Sequence, residues 1–280
     1  MHATLNLALW GKVKSELRAA DTGGCGTRCY VLRVDEMTTD GMLAGGNMNA
    51  VERVGDTVRR VAGPWTPTVH RYLEYVRRGG VDWAPKPLGI DGDREVLSFV
   101  HGDVPVYPLP TWVWADAVLV DGAKRLRQLH DASIGFPLDN AIWQSWTKVP
   151  AEVICHNDFS PHNLAFDNGA IVGAIDFDMC SPGPRLWDIA YFATRVVPLT
   201  AEVPAGAPDT SDARRRVELI LQSYGSSATW LETMRVAIRR LWDLADFSID
   251  KADELGKPHL RDEARDYQRD AEYLTALIAQ

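Results

Sequence analysis

The run His156-Asn157-Asp158-Phe159-Ser160-Pro161-His162-Asn163 lies between two short apolar stretches, Val153-Ile154-Cys155 and Ile171-Val172-Gly173-Ala174-Ile175, and the second stretch ends on Asp176-Phe177-Asp178. Apolar runs of this length read as buried strands, so the polar groups between and after them project from strand ends and a connecting loop. A lone Asp-x-x-x-x-Asn says little, because both residues are common in turns. The whole arrangement is much narrower. An Asp and an Asn five residues apart, with a second Asp at the end of the next apolar run, are the groups that orient an acceptor hydroxyl and hold magnesium against a nucleoside triphosphate. Asp158 is therefore expected at the acceptor hydroxyl, as base or as orienting acceptor. Asn163 and Asp176 are expected to hold the metal, since hard oxygen ligands suit Mg²⁺. Cys155, His156, His162 and Cys180 fit the spacing of no familiar zinc site.

The remaining bulk properties narrow the class. A chain of 280 residues can bury a large core and divide into two lobes. Its net charge of −8 and lack of a basic run argue against nucleic acid as partner. The apolar stretch Leu5 to Trp10 is broken by Asn6 and has no Lys or Arg before it, unlike a secretory signal, and no run has the length of a membrane span. With Cys25, Cys29, Cys155 and Cys180 read as reduced thiols, the expected location is cytoplasmic.

Along the chain, residues 1–40 read as an extension of uncertain order. Leu5, Leu7, Leu9, Val13 and Leu17 recur with loose helical spacing before Asp21-Thr22-Gly23-Gly24-Cys25-Gly26 interrupts them. Met42 to Ala44, Val51 to Val54 and Thr57 to Ala62 read as strands, with a hairpin turn at Gly55-Asp56. Val69, Tyr72, Leu73 and Val76 trace a helix face ended by Gly79-Gly80, and Glu95 to Val100 is a further strand. His101-Gly102-Asp103-Val104-Pro105 breaks the composition and marks a lobe boundary. Beyond it, Trp112 to Ala132, Arg214 to Gln222, Thr229 to Leu255 and Arg261 to Ile278 read as helices, with Ala205 to Thr210 a loop.

Residues 152–192 resemble the aminoglycoside phosphotransferase family, and Ser181 to Tyr191 extends the likeness through the helix start after the metal-binding Asp. The resemblance implies an α+β, bilobal protein-kinase-like fold. Residues 41–102 would form a small β-rich nucleotide-binding lobe with one helix, and 103–280 a larger, mostly helical lobe with the catalytic loop and acceptor site. It implies ATP or GTP between the lobes, Mg²⁺ on Asn163 and Asp176, His156 bracing the catalytic loop, and the Ser98-Phe99-Val100-His101 segment as the hinge, with backbone groups of Ser98 and Val100 on the base edge. Asp188 either anchors the loop from the following helix or is a solvated helix cap.

The smaller lobe departs from the kinase pattern. Such proteins place a Lys on a strand against the phosphates, paired to a helix Glu, but Thr57-Val58-Arg59-Arg60-Val61 has no Lys. Arg60 is the expected substitute, oriented by His70 or by Glu74, and a planar guanidinium imposes a different geometry. Gly45-Gly46-Asn47 either covers the phosphates or is a plain hairpin turn. Asp243, Asp246 and Asp250 share a helix face, which suits a cationic acceptor such as an aminoglycoside. The alternatives are a metabolic kinase acting on a choline-, homoserine- or sugar-like acceptor, and a nucleotide-binding protein with little catalysis.

Overall fold

The computed structural model describes residues 31–33, 41–43 and 51–279, the first two segments as backbone strands. Eleven strands and six helices follow one another. They are β1 (Val31–Arg33), β2 (Gly41–Leu43), β3 (Val51–Val54), β4 (Thr57–Val61), α1 (Thr66–Arg78), β5 (Pro87–Asp91), β6 (Arg94–Ser98), β7 (Asp103–Pro105), α2 (Asp116–Ser133), β8 (Val153–Cys155), β9 (Leu164–Asp167), β10 (Ala170–Ala174), β11 (Ser181–Gly183), α3 (Arg185–Val196), α4 (Ala213–Tyr224), α5 (Trp230–Leu255) and α6 (Leu260–Ile278).

The small lobe is an antiparallel sheet in the order β2-β3-β4-β6-β5, with α1 following β4 in the chain. Gly55, at φ 58, lets β3 turn back into β4. β4 and β6 pair with Arg60 opposite Glu95, and on β6 Glu95 and Leu97 take the buried positions while their neighbours stay half-buried. Period-two alternation thus sends a carboxylate inward beside a leucine.

A second sheet runs β1-β7-β9-β10, and β8 pairs with β11. Val31–Arg33, inside the segment expected to be an extension, is therefore a strand of the larger lobe, paired with Asp103–Pro105. The rest of residues 1–40, including Cys25 and Cys29, lies outside the described residues, as do Gly45 and Gly46. The chain crosses between lobes at Gly102, whose φ of 135 suits glycine and where a Cβ would lie 2.9 Å from Phe166 O. A Cβ on Gly173 of β10 would lie 2.3 Å from the Val100 side chain, so a bare backbone there makes room for that side chain.

One apolar core joins Tyr72, Leu73 and Val76 of α1, Leu119, Leu126 and Leu129 of α2, the loop residues Phe159 and Phe177, and Ile189 and Phe192 of α3. Burying a phenylalanine such as Phe159 stabilises the fold by about 1.5–3 kcal/mol relative to exposing it. The predicted helix from Trp112 starts only at Asp116, because Thr111–Trp114 forms a tight 3-10 turn and Ala115 is extended. α5 begins on a capping box: Thr229 Oγ accepts from the Glu232 N–H, and Glu232 accepts from the Thr229 N–H. No helix among the described residues is long and apolar enough to cross a membrane.

Candidate active site

The loop after β8 is fixed from behind by α3. Asp188 is fully buried, and its two oxygens accept the backbone N–H groups of His156 (2.6 Å) and Asn157 (2.9 Å). His130 donates to it at 3.1 Å through Nε2 and accepts from Tyr224 at 2.7 Å through Nδ1. Burial opposes the Asp188 charge, but the His130 hydrogen bond and nearby positive charge outweigh it and hold the carboxyl at about 2. Asp188 is thus tied into the loop and is no solvated cap; the residue capping α3 is Pro184. His130, Cys155 and Asp188 lie close enough to suggest a metal cluster, but both imidazole nitrogens are already engaged. Cys155 and Cys180 are buried free thiols.

His156, buried and kept neutral by that burial, spans the loop. Its Nδ1 accepts from the Asp158 N–H and its Nε2 donates to Ile175 O, both at 3.2 Å. Asn157 takes the left-handed conformation (φ 66), and its side-chain amide donates to Met179 O and Ser181 Oγ. Arg240 of α5 donates to Asn157 O. These contacts aim the Asp158 carboxylate outward, where Oδ1 accepts from Tyr191 O–H at 2.5 Å and Oδ2 from Asn163 Nδ2 at 2.8 Å.

Asn163 and Asp176 lie just beyond the paired ends of β9 and β10, where Leu164 is opposite Ala174. The Ile175 N–H then donates to Asn163 O at 2.9 Å, which sets Asn163 beside the residue preceding Asp176. With its amide nitrogen on Asp158, Asn163 turns its side-chain oxygen the other way. Asp176 holds φ 59, an uncommon conformation for Asp, and its side chain is 46% exposed. Phe177 is buried against His156, with rings 4.5 Å apart, so Asp176 and Asp178 flank an anchored side chain.

Arg60 closes the cluster from β4. Its guanidinium donates to Glu95, to Asp176 at 2.9 Å and to Asp178 at 2.5 Å. His70 donates to the other Glu95 oxygen at 3.0 Å. His70 therefore reaches Arg60 only through Glu95, and Glu74 is exposed, so neither orients Arg60 directly. Burial alone raises the Glu95 carboxyl, but its bonds to His70 and Arg60 hold it below the ordinary range. The desolvation of its position works against the half-exposed Asp176, and the Arg60 charge and hydrogen bond outweigh it and lower the carboxyl. Asp178 goes the other way: burial and the adjacent carboxylates lift it to about 7 in spite of Arg60. Three carboxylates share one guanidinium, and that surplus of negative charge fits a divalent cation.

Other expected positions make no direct contact with this cluster among the described residues. The Ser98 N–H is bonded to Lys86 O and its hydroxyl accepts from the Lys86 N–H, each at 2.8 Å, so its donor is spent inside the small lobe. Val100 packs on Gly173. Among the described residues, Asp243, Asp246 and Asp250 have no hydrogen bond or ion pair to Asp158, Asn163 or Asp176. Asp246 and Asp250 are exposed, while Asp243 is half-buried near Arg239, Arg240 and Lys148, with its carboxyl raised by burial.

Glu95, Asp178 and Tyr191 were assigned no role from sequence. Glu95 carried a signal, a charge at an inward position of an alternating strand. Tyr191 lay within the quoted Ser181 to Tyr191 run, but only the fold shows its hydroxyl meeting Asp158.

Known proteins resemble this arrangement. The profile of the phosphotransferase enzyme family (APH) matches residues 102–220. A trifolitoxin immunity protein of Rhizobium leguminosarum bv. trifolii is 34% identical over 196 residues, covering 66% of this chain and 74% of that protein. Among solved structures, a gentamicin complex of APH(2″)-IIa superposes with a TM-score of 0.57 at 14% identity, covering 97% of this chain and 99% of that one. A choline/ethanolamine kinase family protein from Mesorhizobium loti gives 0.55 at 16% identity, covering 97% and 95%. At those identities the solved structures speak for the fold, which is bilobal and kinase-like.

Proposed function

The chain belongs to the phosphotransferase enzyme family, and we propose that it moves the terminal phosphate of ATP or GTP to a hydroxyl of a small molecule with the help of magnesium. The observation that carries this reading is the junction of Asp158 and Asn163 at 2.8 Å, with the Ile175–Asn163 backbone bond bringing Asp176 alongside. Asn163 and Asp176 would hold Mg²⁺, which supplies charge neutralisation on the transferred phosphate. Asp158 accepts the hydrogen bond of the acceptor hydroxyl and orients it for in-line attack. The Tyr191 hydroxyl and the Asn163 amide fix the rotamer of that carboxylate. Arg60, set by Glu95, holds Asp176 and Asp178 toward the cleft and faces the phosphates as the lobe's cation. The segment around Val100 offers the hinge backbone to the base. A reaction fed by nucleoside triphosphates suits the cytoplasm.

The immunity function named for the 34% identical relative supports a second form of the same reading, in which the acceptor is an inhibitory compound inactivated by phosphorylation. An antibiotic panel including aminoglycosides, and a metabolite panel of amino alcohols, hydroxy acids and sugars, each with γ-labelled ATP or GTP and Mg²⁺, tests both. Label transfer to a panel member is the expected result. Tight Mg·nucleotide binding with turnover at background across both panels would instead mark a nucleotide-binding protein.

A further inference from the structure

Arg195 lies one helical turn beyond Tyr191 on α3, on the same face. Its guanidinium carbon sits 4.8 Å from the Tyr191 ring centre and 5.4 Å from that of Tyr267 on α6, and Nη2 donates to the Tyr267 hydroxyl at 3.2 Å. Beyond that bond it makes no hydrogen bond to the described residues. Nε is buried with no partner, Nη1 makes no hydrogen bond among the described residues, and none of their carboxylates comes within 4.0 Å. Arg60, by comparison, has three carboxylates, and Arg216 has Asp116 and two backbone carbonyls, whereas Arg240, also without an ion pair among the described residues, spends its bond inside the fold on Asn157 O.

Burial works against the Arg195 charge while groups around it, Asp158 included, favour it, and an anion with a hydrogen-bond acceptor for Nη1 would add the direct counter-ion that no described carboxylate supplies within 4.0 Å. The position is also significant. The Tyr191 ring carrying Arg195 ends in the hydroxyl that binds Asp158. Glu263 and Asp270 of α6 also lie within its field, but beyond ion-pair distance, and their carboxyls are raised by burial.

We propose that Arg195 binds an anionic group of the acceptor, so that the substrate is a hydroxy compound bearing a carboxylate or phosphate a few bonds from the hydroxyl set on Asp158. The stacked tyrosines hold the planar fork so that little side-chain freedom is lost on binding. A cationic acceptor would meet Arg195 as a like charge. This inference rests on the phosphotransferase reading and selects among its acceptors.

The test uses the full chain saturated with Mg²⁺ and a non-hydrolysable ATP analogue, and follows thermal stabilisation by glycerate, glycerol 3-phosphate, glycerol, ethanolamine and kanamycin. The analogue's own stabilising effect reports the nucleotide site and stands or falls separately. Glycerate or glycerol 3-phosphate should stabilise the complex saturably, and the neutral and cationic compounds should not. Arg195→Met should weaken that apparent affinity at least tenfold and leave the analogue's effect intact; Arg195→Lys should retain part of it. Equal response of wild type and Arg195→Met to the anions, no response to them, or stronger stabilisation by ethanolamine or kanamycin each overturns the proposal.

Discussion

Arg60 and Asp176, 116 residues apart in the chain, are joined by an ion pair of 2.9 Å from Nη1 to Oδ1. The pair ties the small lobe's sheet to the end of β10, and Glu95 and Asp178 bind the same guanidinium. Removing that guanidinium leaves Glu95, which is 1% exposed, with His70 alone. Arg60→Met should cost about 3–5 kcal/mol of stability, as loss of one partner of a buried pair does, read as a lower urea midpoint. Arg60→Lys keeps a charge but not the three-way fork. It should raise the nucleotide KM severalfold, and unchanged nucleotide KM and kcat would make Arg60 a bystander.

Asp158→Ala should leave Mg·nucleotide binding nearly intact while lowering kcat by about 10²–10⁴-fold, the range for loss of a positioned acid–base group. Tyr191→Phe keeps the ring but removes the donor at 2.5 Å, and should lower kcat less than Asp158→Ala does. The checks are steady-state kinetics and nucleotide calorimetry on the same samples.

The motif that named Asp158, Asn163 and Asp176 was legible because each is pinned by local strand structure: β8 and β10 are apolar runs whose ends the sequence marks. What the fold adds is nonlocal. Glu95 meets Arg60 only through the β4–β6 register, and the helix expected to supply a partner for Arg60 supplies His70 at one remove. β5, β7, β9 and β11 have three to five residues each; segments that short leave little periodicity to read. The acidic row on α5 was a correct reading of helix geometry. Shared spacing, though, places side chains on a face without saying what that face meets.

Asp188 should make stability fall in acid. Its carboxyl is lowered from 3.8 to about 2 in the folded protein, so its contribution is present above about pH 4 and is lost as pH drops through 2. The shift corresponds to about 2 kcal/mol. Urea unfolding of Asp188→Asn should show lower stability at pH 7 and a flatter profile between pH 4 and 2 than the wild type.

Lys148 should act at the alkaline end. It is buried and donates to Ser145 Oγ, Trp146 O and Ser181 Oγ, and burial, helped by the Arg240 charge, lowers it from 10.5 to about 8. Between those values the unfolded chain binds the extra proton, so this residue's contribution rises with pH, by about 3 kcal/mol in all. Stability of Lys148→Met should lack that rise when the two proteins are compared from pH 8 to 10.5.

The most direct measurement is a titration of Mn²⁺ with ATP or GTP into the wild type and into Asp176→Asn, Asn163→Ala and Asp158→Asn, with bound Mn²⁺ followed by electron paramagnetic resonance. Oxygen ligands from Asn163, just before β9, and Asp176, just after β10, predict a tight ternary complex in the wild type and in Asp158→Asn, weakened at least tenfold in the other two. Wild-type affinity in Asp176→Asn would contradict the assignment of this cleft as a metal–nucleotide site.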